Sequence, residues 1–298
     1  MASLRTIRNR IKSVRNTQKI TKAMKLVAAA KLRRAQDAVV RTRPYAQALD
    51  ELLGSLAGTR AAAEIPPHPL MEARENPRRI EVVLLTSDRG LCGGFNSNII
   101  RRAQRFLVEE GDKYEAIQFS TIGRRGRDFA KRRGIETRKD YVGFFGRLRY
   151  AMAKEVADDL IVEFRERKLD AVHLLYNQFK SAMSQAITFT QLLPIVAPPS
   201  AKREGEGEGG FITPEHLYEP SRPQLLETLI PRQLAMSIWR ALLESEASEH
   251  GARMTAMDSA TKNANDMIGR LSLEYNRARQ ASITKELMEI VSGAEALK

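Results

Sequence analysis

This 298-residue chain holds one cysteine, Cys92, so no intramolecular disulfide can form, and such sparing use suits a reducing compartment. No run of about eighteen apolar residues occurs, which excludes a membrane-spanning helix. A secretory signal is missing too: Leu4, Ile7 and Ile11 alternate with arginines, and the pattern runs past residue 30 as mature structure would, not as a transit peptide. Aromatic residues make up 6% and are not interleaved with the basic ones, which argues against a stacking platform for single strands. Phosphate-loop, dinucleotide and H-E-x-x-H motifs are absent, as is a nucleophile elbow. The four histidines, His68, His173, His216 and His250, lie far apart, and Cys92 has no base near it in sequence. No catalytic residue, metal ligand or cofactor is expected. The glycines of Asp88-Arg-Gly-Leu-Cys-Gly-Gly94 follow a strand, where a phosphate could sit, but a tight strand-to-helix turn accounts for them better.

Acid is scarce at one end. Residues 1–43 carry thirteen Lys or Arg against Asp37 alone, a net +12 out of +13 for the whole chain. A positive field this concentrated suits an anionic partner: nucleic acid, acidic lipid or an acidic protein surface.

The same stretch has a helical repeat. Leu4, Ile7, Ile11, Val14, Gln18, Thr21, Lys25, Ala28, Leu32, Ala35, Val39, Thr42, Ala46, Leu49, Leu53 and Leu56 follow three-four spacing, with a polar interruption at Gln18, Thr21 and Lys25. Ile20, Met24 and Val27 form an adjacent apolar stripe across that interruption, and Pro44 predicts a kink or brief break. Met254, Met257, Thr261, Ala264, Ile268, Leu271, Tyr275 and Ala278 repeat the spacing near the other end, continued on a shifted stripe by Ile283, Leu287, Ile290, Ala294 and Leu297. One helix alone has too thin a core, so the two pair most simply as an antiparallel coiled coil. The second is longer by about twenty residues, which at 1.5 Å each leaves a tip of about 30 Å.

Between them, strand candidates at Ile80–Leu85, Ala116–Ile122, Ala171–Tyr176 and Ala186–Ile195 alternate with helix candidates at Asn98–Glu110, Arg124–Arg133 and Leu148–Lys168. That alternation reads as a largely parallel sheet. The fold class is α/β: a long antiparallel coiled coil of N- and C-terminal helices flanking a Rossmann-like α/β domain. The divisions are 1–58 for the first helix, 59–78 for a proline-rich linker, 79–197 for the α/β domain, 198–213 for a second linker with the low-complexity tract Glu204–Gly210, and 214–298 for the last helix.

Four segments carry a resemblance: IRNRIKSVRNTQKITKAMKLVAAAKLRRAQ at 7–36, SDRGLCGGFN at 87–96, YNQFKSAMSQ at 176–185, and 250–297 with ARMTAMDSATKNAND and YNRARQASITKELMEIVSGAEAL. In order and position they resemble the gamma subunit of the F-type, rotary ATP synthase, bacterial-like. The resemblance implies a central rotor shaft without a catalytic site of its own, coupling proton-driven rotation of the c ring to conformational cycling of the catalytic beta subunits. It implies alpha and beta subunits of the head, an epsilon subunit and the c ring as partners, and a peripheral place on the cytoplasmic face of the bacterial plasma membrane. By motif match, Lys19, Lys22 and Met24 face beta-subunit lever loops, and Arg253, Arg279 and Gln280 contact catch loops of the head. Tyr218 and Glu219, with Arg43 and Tyr45, lie near the c ring. Chloroplast members carry a regulatory cysteine pair; with Cys92 alone, thiol switching is not expected here. The alternatives are a basic coiled-coil nucleic-acid-binding protein, an α/β nucleotide-binding enzyme with helical arms, and a membrane-surface helix.

Overall fold

The computed structural model describes residues 4–58, 68–74, 76–196, 219 and 221–296. Residues 59–67 and 75 of the first linker and the whole of the second, with the tract Glu204–Gly210, lie outside the described residues. The chain forms two compact units, one of residues 1–30 with 253–298, the other of residues 31–252. Helices α1 (Leu4–Gly58) and α5 (Arg222–Ala296) each contribute to both. Every described position of the three-four repeat in α1 is buried or half-buried, so the seam is real along its whole length. Pro44 does not interrupt α1. It removes the hydrogen bond to the Val40 carbonyl, but Pro44 and Val40 are both exposed, so that carbonyl faces water instead of a dry interface.

In the 31–252 unit, β1 (Arg79–Leu85), β2 (Ala116–Ile122), β3 (Thr137–Tyr141), β4 (Ala171–Phe179) and β5 (Gln185–Leu193) form one sheet in the order β3-β2-β1-β4-β5. The pairs β1–β2, β1–β4 and β2–β3 are parallel, and β5 runs antiparallel to β4. Strand side chains alternate across the sheet. Ile80, Val82 and Leu84 point to one face, where α2 (Phe95–Glu110) and α3 (Arg124–Arg133) cover them with Ile99, Ala103, Phe106 and Phe129. Val83 and Leu85 point to the other, where α4 (Tyr150–Arg165) packs with Val156 and Leu160, and Ala46, Leu49 and Leu53 of α1 join Ile230, Leu234 and Ile238 of α5. Helices on both faces make this a doubly wound sheet with one antiparallel edge.

Strand β3 was not among the expected elements. Its sequence, TRKDY, has no apolar run because the strand lies at the sheet edge and its charges are used. Arg138 forms a two-pronged ion pair with Glu81 of β1, at 2.8 and 3.0 Å, and meets Asp159 of α4 at 2.7 Å. Asp170 anchors the entry to β1. It accepts hydrogen bonds from the backbone N–H groups of Arg78 and Arg79 and from the Arg74 guanidinium. Burial pushes its carboxyl up, but these donors outweigh it and hold the group below its ordinary range.

Candidate functional site

In the unit of residues 1–30 and 253–298, the polar interruption of the seam is answered from α5. Gln18 donates to Asn265, Thr21 and Thr261 share a hydrogen bond of 2.8 Å, and Lys25 meets Asp258 at 2.5 Å. Asp258 also takes Lys262 at 3.1 Å, and the two lysines, Lys25 foremost, hold its carboxyl below the ordinary range. Arg8 reaches the Tyr275 hydroxyl at 2.7 Å. Partners climb α1 from Arg8 to Lys25 while they descend α5 from Tyr275 to Asp258, so the two helices run antiparallel here. In the other unit Gln233 of α5 bonds to Asp50 of α1, in the same sense. The expected apolar bridge across the interruption is therefore corrected: Ile20 and Val27 are 60% and 57% exposed, and only Met24 turns partly inward. Polar pairs fill the layers because Asp258, Thr261 and Asn265 recur on α5 at the three-four spacing that Gln18, Thr21 and Lys25 follow on α1. Matching those two spacings would have found Asp258 and Asn265 from sequence.

Pairing of Lys25 leaves Lys19 and Lys22 exposed one turn apart on α1, beside half-buried Met24. Arg253 is half-buried, and Arg279 and Gln280 are exposed. These six do not converge. The antiparallel register puts Arg253 level with the end of this unit's part of α1 and Arg279 level with Leu4, about 39 Å apart at 1.5 Å per residue. Beyond that level α5 continues unaccompanied within this unit, with Ile283, Leu287, Met288, Ile290 and Val291 all exposed.

In the 31–252 unit, Arg43 is exposed and Tyr45 is 51% exposed. They border two different hollows. Arg43 lines one with Thr42, Asp50 and Arg240; Tyr45 lines the other with Tyr150, Pro231 and Met236. Glu219 is exposed, whereas Tyr218 lies outside the described residues. Near the first hollow, Arg240 pairs with Glu244 at 3.0 Å. Burial, then the charge of Glu244, pushes the Tyr176 hydroxyl up to about 12.

The turn after β1 sits where the strand order reverses between β1 and β4, the place where sheets of this kind bind ligands. Here the turn satisfies itself. Asn96 accepts from the Ser87 backbone N–H at 2.9 Å and donates to the Ser87 hydroxyl at 2.8 Å, while that hydroxyl donates to the Arg89 carbonyl at 2.5 Å. Leu91 and Gly93 take left-handed backbone, at φ 63° and 56°, to close it. The first amides of α3 are also occupied: Arg124 donates to Asp88, Arg125 to the Ser87 carbonyl, and Gly126 to the Thr86 hydroxyl. Helix α5 closes the crevice from outside. Ser248 donates to the Asn177 carbonyl at 3.1 Å, and Asn177 donates to that of Phe95 at 3.5 Å. Gly251 lies so near the β4–β5 hairpin that a Cβ there would meet the Ala182 carbonyl oxygen at 2.9 Å.

A family model described as ATP synthase matches residues 3–297. The chain is 59% identical to an ATP synthase gamma chain from an Anaeromyxobacter species and 50% identical to one from Geotalea uraniireducens, each over the full length of both chains. Among solved structures it is similar to a chain of the Tetrahymena thermophila mitochondrial ATP synthase central stalk and c ring: TM-score 0.61, 25% identity, covering 81% of this chain and 99% of that one. A chain of the Euglena gracilis mitochondrial ATP synthase, 22% identical, shares the fold at TM-score 0.69 over 99% of this chain and 94% of that one. These likenesses give no support to the nucleic-acid reading. The chain belongs to the gamma-chain family of the ATP synthases.

Proposed function

We propose that this chain does the work of a gamma chain, the central stalk of a rotary ATP synthase, by turning as a shaft that has no catalytic site of its own. The observation that carries the reading is the pairing of α1 with α5 in the unit of residues 1–30 and 253–298: an antiparallel pair with internally satisfied polar layers, a cationic outer face at Lys19 and Lys22, and an unaccompanied α5 tip. A shaft transmits torque through a stiff pair of helices and turns in its bearing through weak contacts. Exposed ion pairs are worth only about 0–1 kcal/mol each, so Lys19 and Lys22 can exchange acidic partners as the shaft rotates.

In this reading alpha and beta subunits surround the helices. Lys19, Lys22 and Met24 face beta-subunit lever loops, and Arg253, Arg279 and Gln280 face the catch loops. Residues 79–197 lie outside the head beside an epsilon subunit. Arg43, Tyr45, Tyr218 and Glu219 lie toward the c ring, on the cytoplasmic face of the membrane. The divisions at 58, 78, 197 and 213 set the α/β domain apart from the two helices, each of which carries both head and c-ring contacts.

Reconstitution tests it. Mixed with alpha and beta subunits of the same source, the chain is expected to give a complex of three alpha, three beta and one copy of itself, with ATP hydrolysis only when it is present. Failure to assemble with folded partners would sink the reading. Within the complex, Met24→Lys places a third cation beside Lys19 and Lys22 among acidic loops. It is expected to lower the protons pumped per ATP hydrolysed; an unchanged ratio removes Met24 from the contact.

A further inference from the structure

Where α1, α4 and α5 meet in the 31–252 unit lies a hollow of about 440 Å³ to which the shaft reading gives no role. Small-molecule sites typically enclose about 300–1,000 Å³ and are mostly apolar, with a few convergent polar groups. This one has that make-up. Pro231, Ala235 and Met236 of α5 form one wall, and the rings of Tyr45 from α1 and Tyr150 from α4 form the others. Trp239 braces Tyr150 edge-on, with 6.2 Å between ring centroids. Tyr45 and Tyr150 are 51% and 38% exposed, so two large rings stand open to solvent at the mouth.

The polar groups gather around Tyr150. Burial, then the charge of Tyr45, pushes its hydroxyl up, and Arg232 pulls it back down, so both groups lie within electrostatic reach of it. Neither tyrosine hydroxyl has a hydrogen-bond partner among the described residues. Lys154 and Asp158 also line the hollow, but they pair with each other at 3.3 Å. Arg232 is exposed and makes no ion pair with a described residue, so it leaves the hollow one net positive charge. A guanidinium beside two phenol O–H donors matches a carboxylate. The apolar wall and the ring faces match a hydrocarbon. Free phosphate would leave that wall unused, and a neutral apolar molecule would leave Arg232 unanswered. The modest volume suits one chain in place of two.

We propose that this hollow binds a single-chain amphiphile with one carboxylate head, of the fatty-acid class. The head meets Arg232 and the two tyrosine hydroxyls, and the chain lies against Pro231, Ala235 and Met236. This chain alone forms the hollow, so its occupancy is separate from the c-ring contact proposed for Tyr45.

Tryptophan quenching tests it. Bromine quenches tryptophan only at close range, and Trp239 is the one tryptophan. The probe is bromine-terminated dodecanoate, added below its micelle concentration to the full chain. Saturable quenching with one site per chain is expected. Arg232→Gln and Tyr45→Ala should each weaken binding at least tenfold, whereas Arg232→Lys should stay within about threefold. Both positions are exposed, so an unchanged urea midpoint certifies that each variant is folded. The corresponding bromine-terminated alcohol should bind at least tenfold more weakly. The proposal is overturned if quenching does not saturate, or if Arg232→Gln and Tyr45→Ala bind like the parent chain. Equal binding of the alcohol also overturns it, since the hollow would then be an apolar surface only. So does a dimer that Tyr45→Ala dissociates, because a second copy of the chain would then fill the hollow.

Discussion

Replacing Arg138 with methionine should cost the 31–252 unit about 4 kcal/mol. The Glu81 side chain is fully buried in the middle of the central strand β1, and its carboxylate is held by two hydrogen bonds from the Arg138 guanidinium, at 2.8 and 3.0 Å. Removing the arginine leaves Asp159 with Lys139 at 2.8 Å and the Tyr141 hydroxyl at 3.1 Å, so Asp159 is still answered. Glu81 loses its only ion pair among the described residues. Stranding one charge of a buried pair costs about 3–5 kcal/mol, because the desolvation already incurred is no longer offset.

Urea unfolding reads this directly. Trp239, the one tryptophan, packs edge-on against Tyr150 in the same unit, so its fluorescence follows the affected unit. With a urea slope of about 2.5 kcal/mol per molar, a loss of about 4 kcal/mol lowers the midpoint by about 1.6 M. The decisive companion is Arg138→Met with Glu81→Met, which replaces the pair by apolar groups of similar volume. Such replacements are often neutral, so the double variant should recover most of the midpoint. A single-variant shift below about 0.4 M, or a double variant as unstable as the single, would refute the assignment of Glu81–Arg138 as a pair whose loss strands a charge.

Glu246 on α5 is largely buried and accepts from the Gly146 backbone N–H at 3.2 Å; burial is the largest cause raising its carboxyl, and the charge of Glu249 adds to it. A raised folded value means that this group's contribution is present at low pH and is lost as pH climbs from the ordinary carboxylate range through the folded value. Glu246→Gln keeps an acceptor for Gly146 and removes the titration, so thermal unfolding should show a higher melting temperature at pH 7.5 and a flatter pH profile; an unchanged slope counts against it. Truncation after Lys285 removes exposed Leu287, Met288, Ile290 and Val291, and the melting temperature of the isolated chain should stay within about 1 °C, since burial of apolar area is what stabilises and these groups have little of it. A larger drop would mean that the tip packs on the chain itself.

Legibility from sequence followed the strength of each residue's local signal. The seam of α1 could be read because burial there repeats every three or four residues from Leu4 to Leu56, and the buried strands because Ile80, Val82, Val83, Leu84 and Leu85 are apolar on both faces. Strand β3 could not, since Arg138 earns its place through a side chain reaching two strands away, and a sequence window sees no such partner. Stripe assignments failed for a related reason. Ile20 and Val27 are as apolar as the seam, and only the polar answer from Asp258, Thr261 and Asn265, some 240 residues on, decides that they stay outside. The motif residues Lys19, Lys22, Arg253, Arg279 and Gln280 gave the least to pattern reading: four of the five are exposed, and exposure alone does not name a partner.

The turn at Ser87–Asn96 shows how a sheet suited to binding is made into a mount. A ligand at the reversal point needs free amides and space, as the first turn of a helix following a strand provides. Here Asp88, Ser87 and Thr86 take the first amides of α3, Asn96 ties the turn after β1 to its own helix, and α5 lies across the opening through Ser248 and Gly251. Each hydrogen bond that would have oriented a phosphate instead joins one secondary element to the next. Gly251 is a close point of that joint, because its missing side chain is what lets α5 come within reach of the hairpin carbonyl of Ala182. A helix fixed this closely to the sheet cannot turn without it, so torque on α5 in the 31–252 unit passes to the whole sheet. That requirement, met among the described residues by Thr86, Ser87, Asp88, Asn96, Ser248 and Gly251, explains how a doubly wound sheet whose reversal point is filled serves as part of a rotor.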